Sequence, residues 1–423
     1  MPKLKITDPK IYHLIHAEER RQKNTLGMIA SENYVSLAVR EANGSVLNNK
    51  YSEGYPKMRY YQGNNIIDKI EQEAINRACK LFKAEHANVQ PFSGALANMA
   101  SFEALLKDGD RVLSMELTQG GHLTHGSKVN FSGKRYDFYF YSVDQKSGLI
   151  DYKNVEALAK KIKPKLILAG TTSYPRKIDF CCFSRIAKSV QSYFMADIAH
   201  IAGLIIAGLH PNPAPYADIV TFTTHKTLRG PRGAVILCKK KHAQAIDRAI
   251  FPALQAGPLE HIIAAKAVCF KEANTQQFKK YQAQIVKNAK ALERALKRFN
   301  FKLVTDGTDL HMLVINLAES LCVKEAFQSN QSSLTGAQAA IKLEEFGIVC
   351  NKNTVPFDQL SPMVTSGIRL GTPTLTTRGM REAQMKQIAK WIFEILVQEI
   401  NQKRKDEIKK EILNLCKKFM FKD

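Results

Sequence analysis

The sequence predicts an α/β protein whose larger part is built on a mainly parallel β-sheet. Short apolar segments alternate with segments of helical periodicity, and this alternation is typical of parallel strands joined by crossover helices. Several of the apolar segments are nearly continuous, which suits strands covered by helices on both faces. The seven candidate strands are residues 87–89, 111–114, 136–143, 165–169, 193–196, 218–223 and 234–238.

The length and composition allow two or three domains with well-buried cores. The chain has 423 residues, of which 45% are hydrophobic and 24% are charged. These values exclude a disordered polymer, a fibre and a mini-protein.

The other elements follow in chain order. Asp8 followed by Pro9 starts the first helix, because aspartate caps helix N-termini and proline suits the first helical position. Further helical segments are predicted at 66–82, 95–106, 266–299, 333–346 and 378–400, a β-like segment at 302–317, and a Lys-rich amphipathic extension at the end. We therefore expect an N-terminal helical arm at 1–30, a large domain at 31–280 and a smaller α+β domain at 281–423.

The charge is strongly positive, with 62 Lys and Arg against 39 Asp and Glu, a net charge of +23. A polyanion partner is one interpretation, and a solvated Lys-rich surface is the other. The positive residues are spread along the chain, and no basic run is interleaved with aromatic residues as a single-strand binding groove requires. We favour the surface interpretation and predict no specific nucleic-acid partner.

The eight cysteines form no C-x-x-C pair and no Cys/His metal spacing, so we expect reduced thiols and no metal site. The N-terminus carries no apolar leader segment, and no apolar run approaches the ~18 residues of a membrane-spanning helix. The sequence therefore predicts a cytoplasmic protein with no membrane partner.

Lys226 and Asp197 are the strongest candidates for chemistry. Each follows a predicted strand, and Lys226 lies outside any phosphate-loop motif, so its alternative task is to form a Schiff base. A strand-end aspartate alone is more often a helix cap, and a lone lysine is usually on the surface. Together they suit pyridoxal phosphate, which needs a lysine for its aldehyde and a carboxylate for its pyridine nitrogen.

A turn of small residues, Ser93-Gly94-Ala95-Leu96-Ala97-Asn98, lies between a predicted strand and a predicted helix. A helix N-terminus offers free N–H groups to a phosphate, although small residues also allow close helix–sheet packing.

Longer motifs identify a family. The chain resembles serine hydroxymethyltransferase, a fold-type I pyridoxal-phosphate enzyme with a seven-stranded sheet, over nearly its whole length. The resemblance is carried by Ile29-Ala-Ser31-Glu32-Asn33, Lys50-Tyr51-Ser-Glu53-Gly54-Tyr55-Pro56, Arg59-Tyr60-Tyr61, Gly120-Gly121-His122-Leu123-Thr124-His125-Gly126, Val129-Asn-Phe-Ser-Gly133, Asp197-Ile-Ala-His200-Ile-Ala-Gly203-Leu204, Thr223-Thr224-His225-Lys226-Thr227, Gly230-Pro-Arg232-Gly233 and Thr365-Ser-Gly-Ile-Arg369-Leu-Gly-Thr-Pro373.

The resemblance implies roles for individual residues. Those implied for the cofactor, pyridoxal phosphate, are Lys226 in the Schiff base, Asp197 at the pyridine nitrogen, His122 on the ring face, His200 and Thr172 near the ring hydroxyl, Ser93, Gly94 and His225 at the phosphate, and Tyr51 and Gly257 approaching across the family's dimer interface. The implied catalytic set is Lys226, Glu53, His225 and Thr223, with Glu53 as the acid/base carboxylate. Arg369 and Ser31 match the site of the amino-acid carboxylate, Tyr61 and Glu53 adjoin the substrate, and Leu117, Gly121, Leu123 and Asn353 match folate contacts.

The implied activity is reversible transfer of the hydroxymethyl carbon of L-serine to tetrahydrofolate, the co-substrate, by a homodimer with shared active sites. Two alternatives stay open: a pyridoxal-phosphate aldolase of 3-hydroxy amino acids that uses no folate, and a catalytically weakened, polyanion-binding relative. One departure bears on the cofactor, because Ala95 stands where the family commonly has a serine whose hydroxyl bonds the phosphate.

Overall fold

A computed structural model describes residues 3–327 and 334–421 of the chain. The α-helices are α1 Lys3–Thr7, α2 Pro9–Asn24, α3 Leu37–Asn43, α4 Asn65–Phe82, α5 Gly94–Leu105, α6 Phe131–Arg135, α7 Tyr152–Ile162, α8 Phe180–Ser189, α9 Ala202–Ile206, α10 Ala243–Arg248, α11 Glu260–Ala273, α12 Gln276–Arg298, α13 Leu321–Ala326, α14 Gly336–Glu344, α15 Pro373–Thr377, α16 Glu382–Val397 and α17 Gln402–Lys418. The strands are β1 Leu26–Gly27, β2 Gly54–Tyr55, β3 Met58–Arg59, β4 His86–Asn88, β5 Arg111–Met115, β6 Asp137–Tyr141, β7 Leu166–Gly170, β8 Tyr193–Asp197, β9 Ile219–Thr223, β10 Ala234–Cys238, β11 Lys302–Leu303, β12 Met312–Asn316, β13 Ile348–Val349, β14 Asn351–Asn353 and β15 Gly367–Gly371.

The seven predicted strands form one sheet, in the order β4-β10-β9-β8-β7-β5-β6. All neighbours are parallel except β10, which runs antiparallel to both β4 and β9. Every residue of β7, β9 and β10 is buried, because helices cover both faces of the sheet. The predicted α/β class with a mainly parallel seven-stranded sheet is confirmed.

A second sheet of four antiparallel strands, β11-β12-β15-β14, follows in the C-terminal part of the chain. Its core is separate from that of the large sheet, and it includes Leu26 and Met28 from the predicted arm. Helix α12 crosses residue 280, with Phe278 in the first core and Leu292 in the second. The boundaries proposed at residues 30 and 280 stay predictions.

Local chemistry explains where the observed elements differ from the predicted ones. The predicted helix at 266–299 is two helices, because the Thr275 side chain accepts a hydrogen bond from the Phe278 N–H and starts α12. The β-like segment at 302–317 is broken by Thr305 and Asp306, which have left-handed backbone angles. The predicted helix at 378–400 is shorter, since α16 covers Glu382–Val397. The predicted start of the helix at residue 333 lies outside the described residues.

Helix α2 begins as predicted, with Asp8 Oδ1 accepting from the Ile11 N–H at 3.0 Å. Among the helices of residues 3–327 and 334–421, none has the length and apolar character needed to cross a membrane.

Candidate active site

A cavity of about 620 Å³ opens at the carboxyl ends of β7, β8 and β9, between the N-terminus of α5 and the strands β14 and β15. This edge of a parallel sheet is where α/β proteins commonly bind ligands. The structure brings most of the predicted site residues to its walls, namely Ser31, Ser93, Gly94, Leu117, Gly121, His122, Leu123, Thr172, Asp197, His200, Thr223, His225, Lys226, Asn353 and Arg369.

Lys226 lies three residues after the end of β9, and its Nζ donates to Thr223 Oγ1 at 2.8 Å. Burial lowers the pKa of Lys226 to about 8, with the charge of Asp197 opposing this shift and that of Arg369 contributing to it. An amine with this pKa is partly unprotonated near neutral pH, so it can act as a nucleophile.

Asp197 ends β8, next to β9 in the sheet. Its Oδ2 accepts hydrogen bonds from Asn98 Nδ2 at 2.9 Å and His125 Nε2 at 3.0 Å, and its Oδ1 accepts from the Ala199 N–H at 3.0 Å. Burial by itself would raise the pKa of Asp197, but the hydrogen bond and charge of His125 hold it well below the usual range. A buried, permanently ionised carboxylate suits a ligand N–H⁺ group.

Two partners of Asp197 had no role in the sequence analysis. Asn98 also accepts from Thr221 Oγ1 at 2.6 Å, so β9 fixes its amide orientation, and the His125 ring is buried beside it. Both residues stand in the quoted motifs, but nothing in a single sequence indicates that their side chains meet Asp197.

Two histidines on the cavity wall are held neutral. Burial lowers the pKa of His122 to about 4, and its Nδ1 pairs with Thr124 Oγ1 at 2.7 Å. His200 is fully enclosed, and burial lowers its pKa as well. The ring of His200 stacks on that of His311, with 5.6 Å between the two ring centroids. His311 was not among the predicted site residues. A neutral imidazole such as that of His122 can lie flat on an aromatic ring without bringing a charge.

Arg369 is a buried cation without a carboxylate partner among the described residues. It projects from β15, where its Nε donates to Asn351 Oδ1 at 3.0 Å and its Nη1 donates to the Thr172 carbonyl at 2.5 Å. Burial lowers the pKa of Arg369 to about 10. A buried guanidinium that meets only neutral oxygens is suited to bind an incoming anion, since pairing offsets the cost of its burial.

The N-terminus of α5 forms another part of the cavity wall. Ser93 caps this helix by accepting from the Leu96 N–H at 3.3 Å. A side chain at Gly94 would place its Cβ 2.7 Å from Thr223 Cγ2, so the close approach of α5 to β9 requires glycine. His225 lines the same end of the cavity, and burial lowers its pKa to about 3. The first N–H groups of a twelve-residue helix offer a phosphate site here.

Leu117, Gly121, Leu123 and Asn353 also line the cavity, and we call these four residues the rim. Leu123 is 48% exposed, so an apolar surface borders the opening. These are the positions that the sequence analysis matched to folate.

Four predicted site residues do not line the cavity: Glu53, Tyr51, Tyr61 and Gly257. They lie together instead. The Tyr51 and Tyr61 rings meet edge to face at 5.4 Å, and a Cβ at Gly257 would lie 3.0 Å from the Tyr51 ring. Tyr51 is 56% exposed and Tyr61 is 41% exposed. The negative charge of Glu53 raises the pKa of Tyr61, so Glu53 lies next to them. We call these four residues the tyrosine surface.

The family model described as serine hydroxymethyltransferase matches residues 4–392. The match covers most of the chain and both sheets, so the chain belongs to this family of fold-type I, pyridoxal-phosphate-dependent enzymes. The predicted family, fold class and enzyme class are confirmed, and the roles assigned to single residues stay predictions.

Proposed function

We propose that this chain transfers the hydroxymethyl carbon of L-serine reversibly to tetrahydrofolate, giving glycine and 5,10-methylenetetrahydrofolate. The observation that carries the proposal is one cavity holding a lysine with a lowered pKa, a permanently ionised aspartate and a buried arginine that has no acidic partner within residues 3–327 and 334–421. Each of these groups can bind one part of pyridoxal phosphate or of the amino-acid substrate.

The donor set fits pyridoxal phosphate. Lys226 offers an amine for the aldehyde, Asp197 a carboxylate for the pyridine nitrogen, and the N-terminus of α5 free N–H groups for the phosphate. His122 offers a neutral ring to stack on the cofactor. When bound, the cofactor supplies an electron sink for the electrons of the bond broken at the substrate α-carbon.

The chain's own residues orient the substrate. Arg369 would bind the serine carboxylate, with Ser31 on the same cavity wall. The bonds to Asn351 and Thr172 fix the guanidinium plane, so the carboxylate is held in one direction. Thr223 Oγ1 accepts from Lys226 Nζ and so directs the amine into the cavity.

We propose that folate binds at the rim formed by Leu117, Gly121, Leu123 and Asn353. The one-carbon unit would then be transferred from serine to folate at the mouth of the cavity. There Glu53 would hold or release the proton of the substrate hydroxyl group. Since Glu53 does not line the cavity of its own chain, this role requires a second copy.

We therefore propose a homodimer in which the tyrosine surface of one protomer completes the cavity of its partner. The exposed Tyr51 and Tyr61 rings, which pack against each other, support this arrangement, because exposed apolar patches mark interaction sites. We also propose that the enzyme acts in the cytoplasm on small molecules, without a specific nucleic-acid or membrane partner.

An aldolase of 3-hydroxy amino acids would use the same lysine, aspartate and arginine but not the rim. A Leu123→Asp variant separates the two activities, because a charge at the rim should block folate and leave cleavage without folate intact. Leu149→Asp, at a leucine 41% exposed elsewhere, is the matched control.

The test uses purified chain reconstituted with pyridoxal phosphate, with absorption spectra and glycine formation measured with and without tetrahydrofolate. We expect a bound-cofactor spectrum, folate-dependent glycine, and loss of the folate response in Leu123→Asp only. Glycine formation at the same rate with and without tetrahydrofolate would favour the aldolase. No bound cofactor and no glycine, with salt-sensitive polyanion binding that survives Lys226→Ala, would favour the polyanion-binding alternative.

A further inference from the structure

A buried polar cluster lies behind the tyrosine surface, at the start of α11. The Glu260 side chain is 1% exposed, and its Oε1 accepts a hydrogen bond from Ser52 Oγ. Its Oε2 has no hydrogen-bond partner among the described residues. Because Ser52 directly precedes Glu53, this bond ties the segment that carries Glu53 to α11.

The same segment is held from its other side by Arg59. Its Nη1 donates to the Ser52 carbonyl at 2.9 Å and to the Gly54 carbonyl at 3.0 Å, the two residues flanking Glu53. Gln90 Nε2 adds a third bond, to the Gly54 carbonyl at 2.9 Å. The backbone around Glu53 is therefore fixed by buried side chains that lie outside the cavity.

The cluster holds more carboxylates than cations. Arg59 bonds Glu71 at 2.5 Å and Asp68 at 2.8 Å, both on α4, so it already pairs with two acids. The second buried basic group is Lys266, on the same helix as Glu260, and burial lowers its pKa to about 7 against the opposing charges of Glu71 and Glu260.

The ammonium group of Lys266 makes its hydrogen bonds to other residues. Its Nζ donates to the carbonyls of Val89, Pro91 and Ala234, which use all three of its hydrogens. Among the described residues, Glu260 thus has no cation in an ion pair with it, and it lies close to Glu71. Burial and then the charge of Glu71 raise the pKa of Glu260 to about 7, outweighing the opposing effects of Ser52 and Arg59.

We propose that Glu260 is a positioning residue: in its neutral form, bonded to Ser52, it holds Glu53 in its working position, and its ionisation loosens residues 51–61. The part of this proposal that concerns catalysis rests on the function proposed above. The loosening follows because an ionised Glu260 adds a second buried negative charge beside Glu71, whereas Arg59 already pairs with Asp68 and Glu71 and Lys266 has no N–H left to donate.

The sign of the pH dependence follows from the raised pKa. Opening residues 51–61 returns Glu260 to its ordinary pKa and leaves the three carbonyl bonds of Lys266 in place, so the closed form binds more protons than the open one, and raising the pH favours opening. With a closed pKa of about 7 and an ordinary value of 4.5, the opening equilibrium rises about tenfold between pH 6 and pH 8.

Hydrogen exchange of the full-length protein tests this without relying on activity. Residues 53–61 include the Tyr60 N–H, which donates to the Glu53 carbonyl at 2.9 Å. We expect their protection factors, corrected for intrinsic exchange, to fall about tenfold from pH 6 to pH 8, and to stay constant in Glu260→Gln. Constant protection in the parent protein, or an unchanged fall in Glu260→Gln, would overturn the proposal.

Glu272→Gln is the matched control, because Glu272 lies on the same helix and its Oε1 accepts from Ser36 Oγ at 2.6 Å, outside the cluster. It should retain the tenfold fall. Ser52→Ala gives a second measurement that does not alter Glu260. We expect lower protection of residues 53–61 at both pH values in this variant, and unchanged protection would contradict the proposal.

The pH profile of turnover then tests the positioning role. Between pH 6 and pH 8, kcat should change less in Glu260→Gln than in the parent and Glu272→Gln proteins, while KM for serine stays the same. Altered hydrogen exchange with an unaltered kcat profile would reject positioning of Glu53. Absence of turnover in the parent protein would contradict only the proposed function, because the hydrogen-exchange measurement does not depend on activity.

Discussion

Two groups of predicted site residues lie in different surroundings in this chain. Lys226, Asp197 and Arg369 share one cavity, where buried neighbours fix their protonation and their direction. Tyr51, Tyr61 and Glu53 lie on the tyrosine surface, where two of the three are largely exposed. One chain thus builds the part of the site that suits the cofactor and the amino-acid carboxylate. The remaining predicted residues lie outside that cavity, and under the proposed function a partner would supply them.

The largest expected effect comes from the cavity. Lys226→Ala removes the nucleophile, so we expect turnover to fall at least about a thousandfold and the bound-cofactor spectrum to be lost. Turnover assays and absorption spectra check this. Lys107→Ala, at an exposed lysine, is the control and should match the parent. A Lys226→Ala protein with parental turnover would exclude the lysine from the chemistry.

Mixing two inactive variants examines the tyrosine surface directly. Lys226→Ala and Glu53→Gln proteins are each expected to be nearly inactive alone. If each site combines Lys226 of one protomer with Glu53 of its partner, subunit exchange in an equal mixture should restore about a quarter of the sites. Turnover after partial denaturation and refolding of the mixture measures this recovery.

No recovery in that mixture, although co-purification of differently tagged subunits shows mixed dimers, would mean that the two groups do not share a site. The Lys226→Ala protein mixed with the parent protein controls for loss of activity during exchange.

Arg369→Lys has a smaller effect, because the charge is kept and only the planar two-donor geometry is lost. We expect KM for serine to rise about tenfold to a hundredfold, with a lesser change in kcat. Steady-state kinetics check this, with Arg248→Lys at an exposed position as the control. An unchanged KM would place the carboxylate elsewhere.

The smallest effect concerns the N-terminus of α5, where Ala95 lines the cavity. Ala95→Ser adds a hydroxyl that can bond the phosphate, and such a bond to a charged group contributes about 1.5 kcal/mol at the lower end of its range. Cofactor affinity, measured by fluorescence titration, should therefore tighten about tenfold. Ala104→Ser, on the same helix but outside the cavity, should leave it unchanged. An equal affinity in both variants would argue that the phosphate does not reach Ala95.

Part of the fold was predictable because its signals are local. The seven strands are short apolar runs between helical segments, and both sheet class and strand positions follow from that pattern. The breaks in the predicted helices depend on single residues, such as the cap at Thr275 and the left-handed Thr305, whose effect competes with periodicity. The position of Leu26 and Met28 in the second core was not predictable, since it depends on pairing between β1 and β13, far apart in sequence.

The sequence alone determined the family, the fold class and the residue types that the chemistry needs, because long motifs and strand patterns are properties of contiguous segments. The tertiary structure decided which of those residues meet. It joined Asn98 and His125 to Asp197, kept Arg369 away from every acidic side chain in the described part of the chain, and placed Glu53 outside the cavity that holds Lys226. It also enclosed Glu260 beside Glu71. Charge states and positions of this kind arise from burial and from contacts between distant segments, which no local pattern encodes.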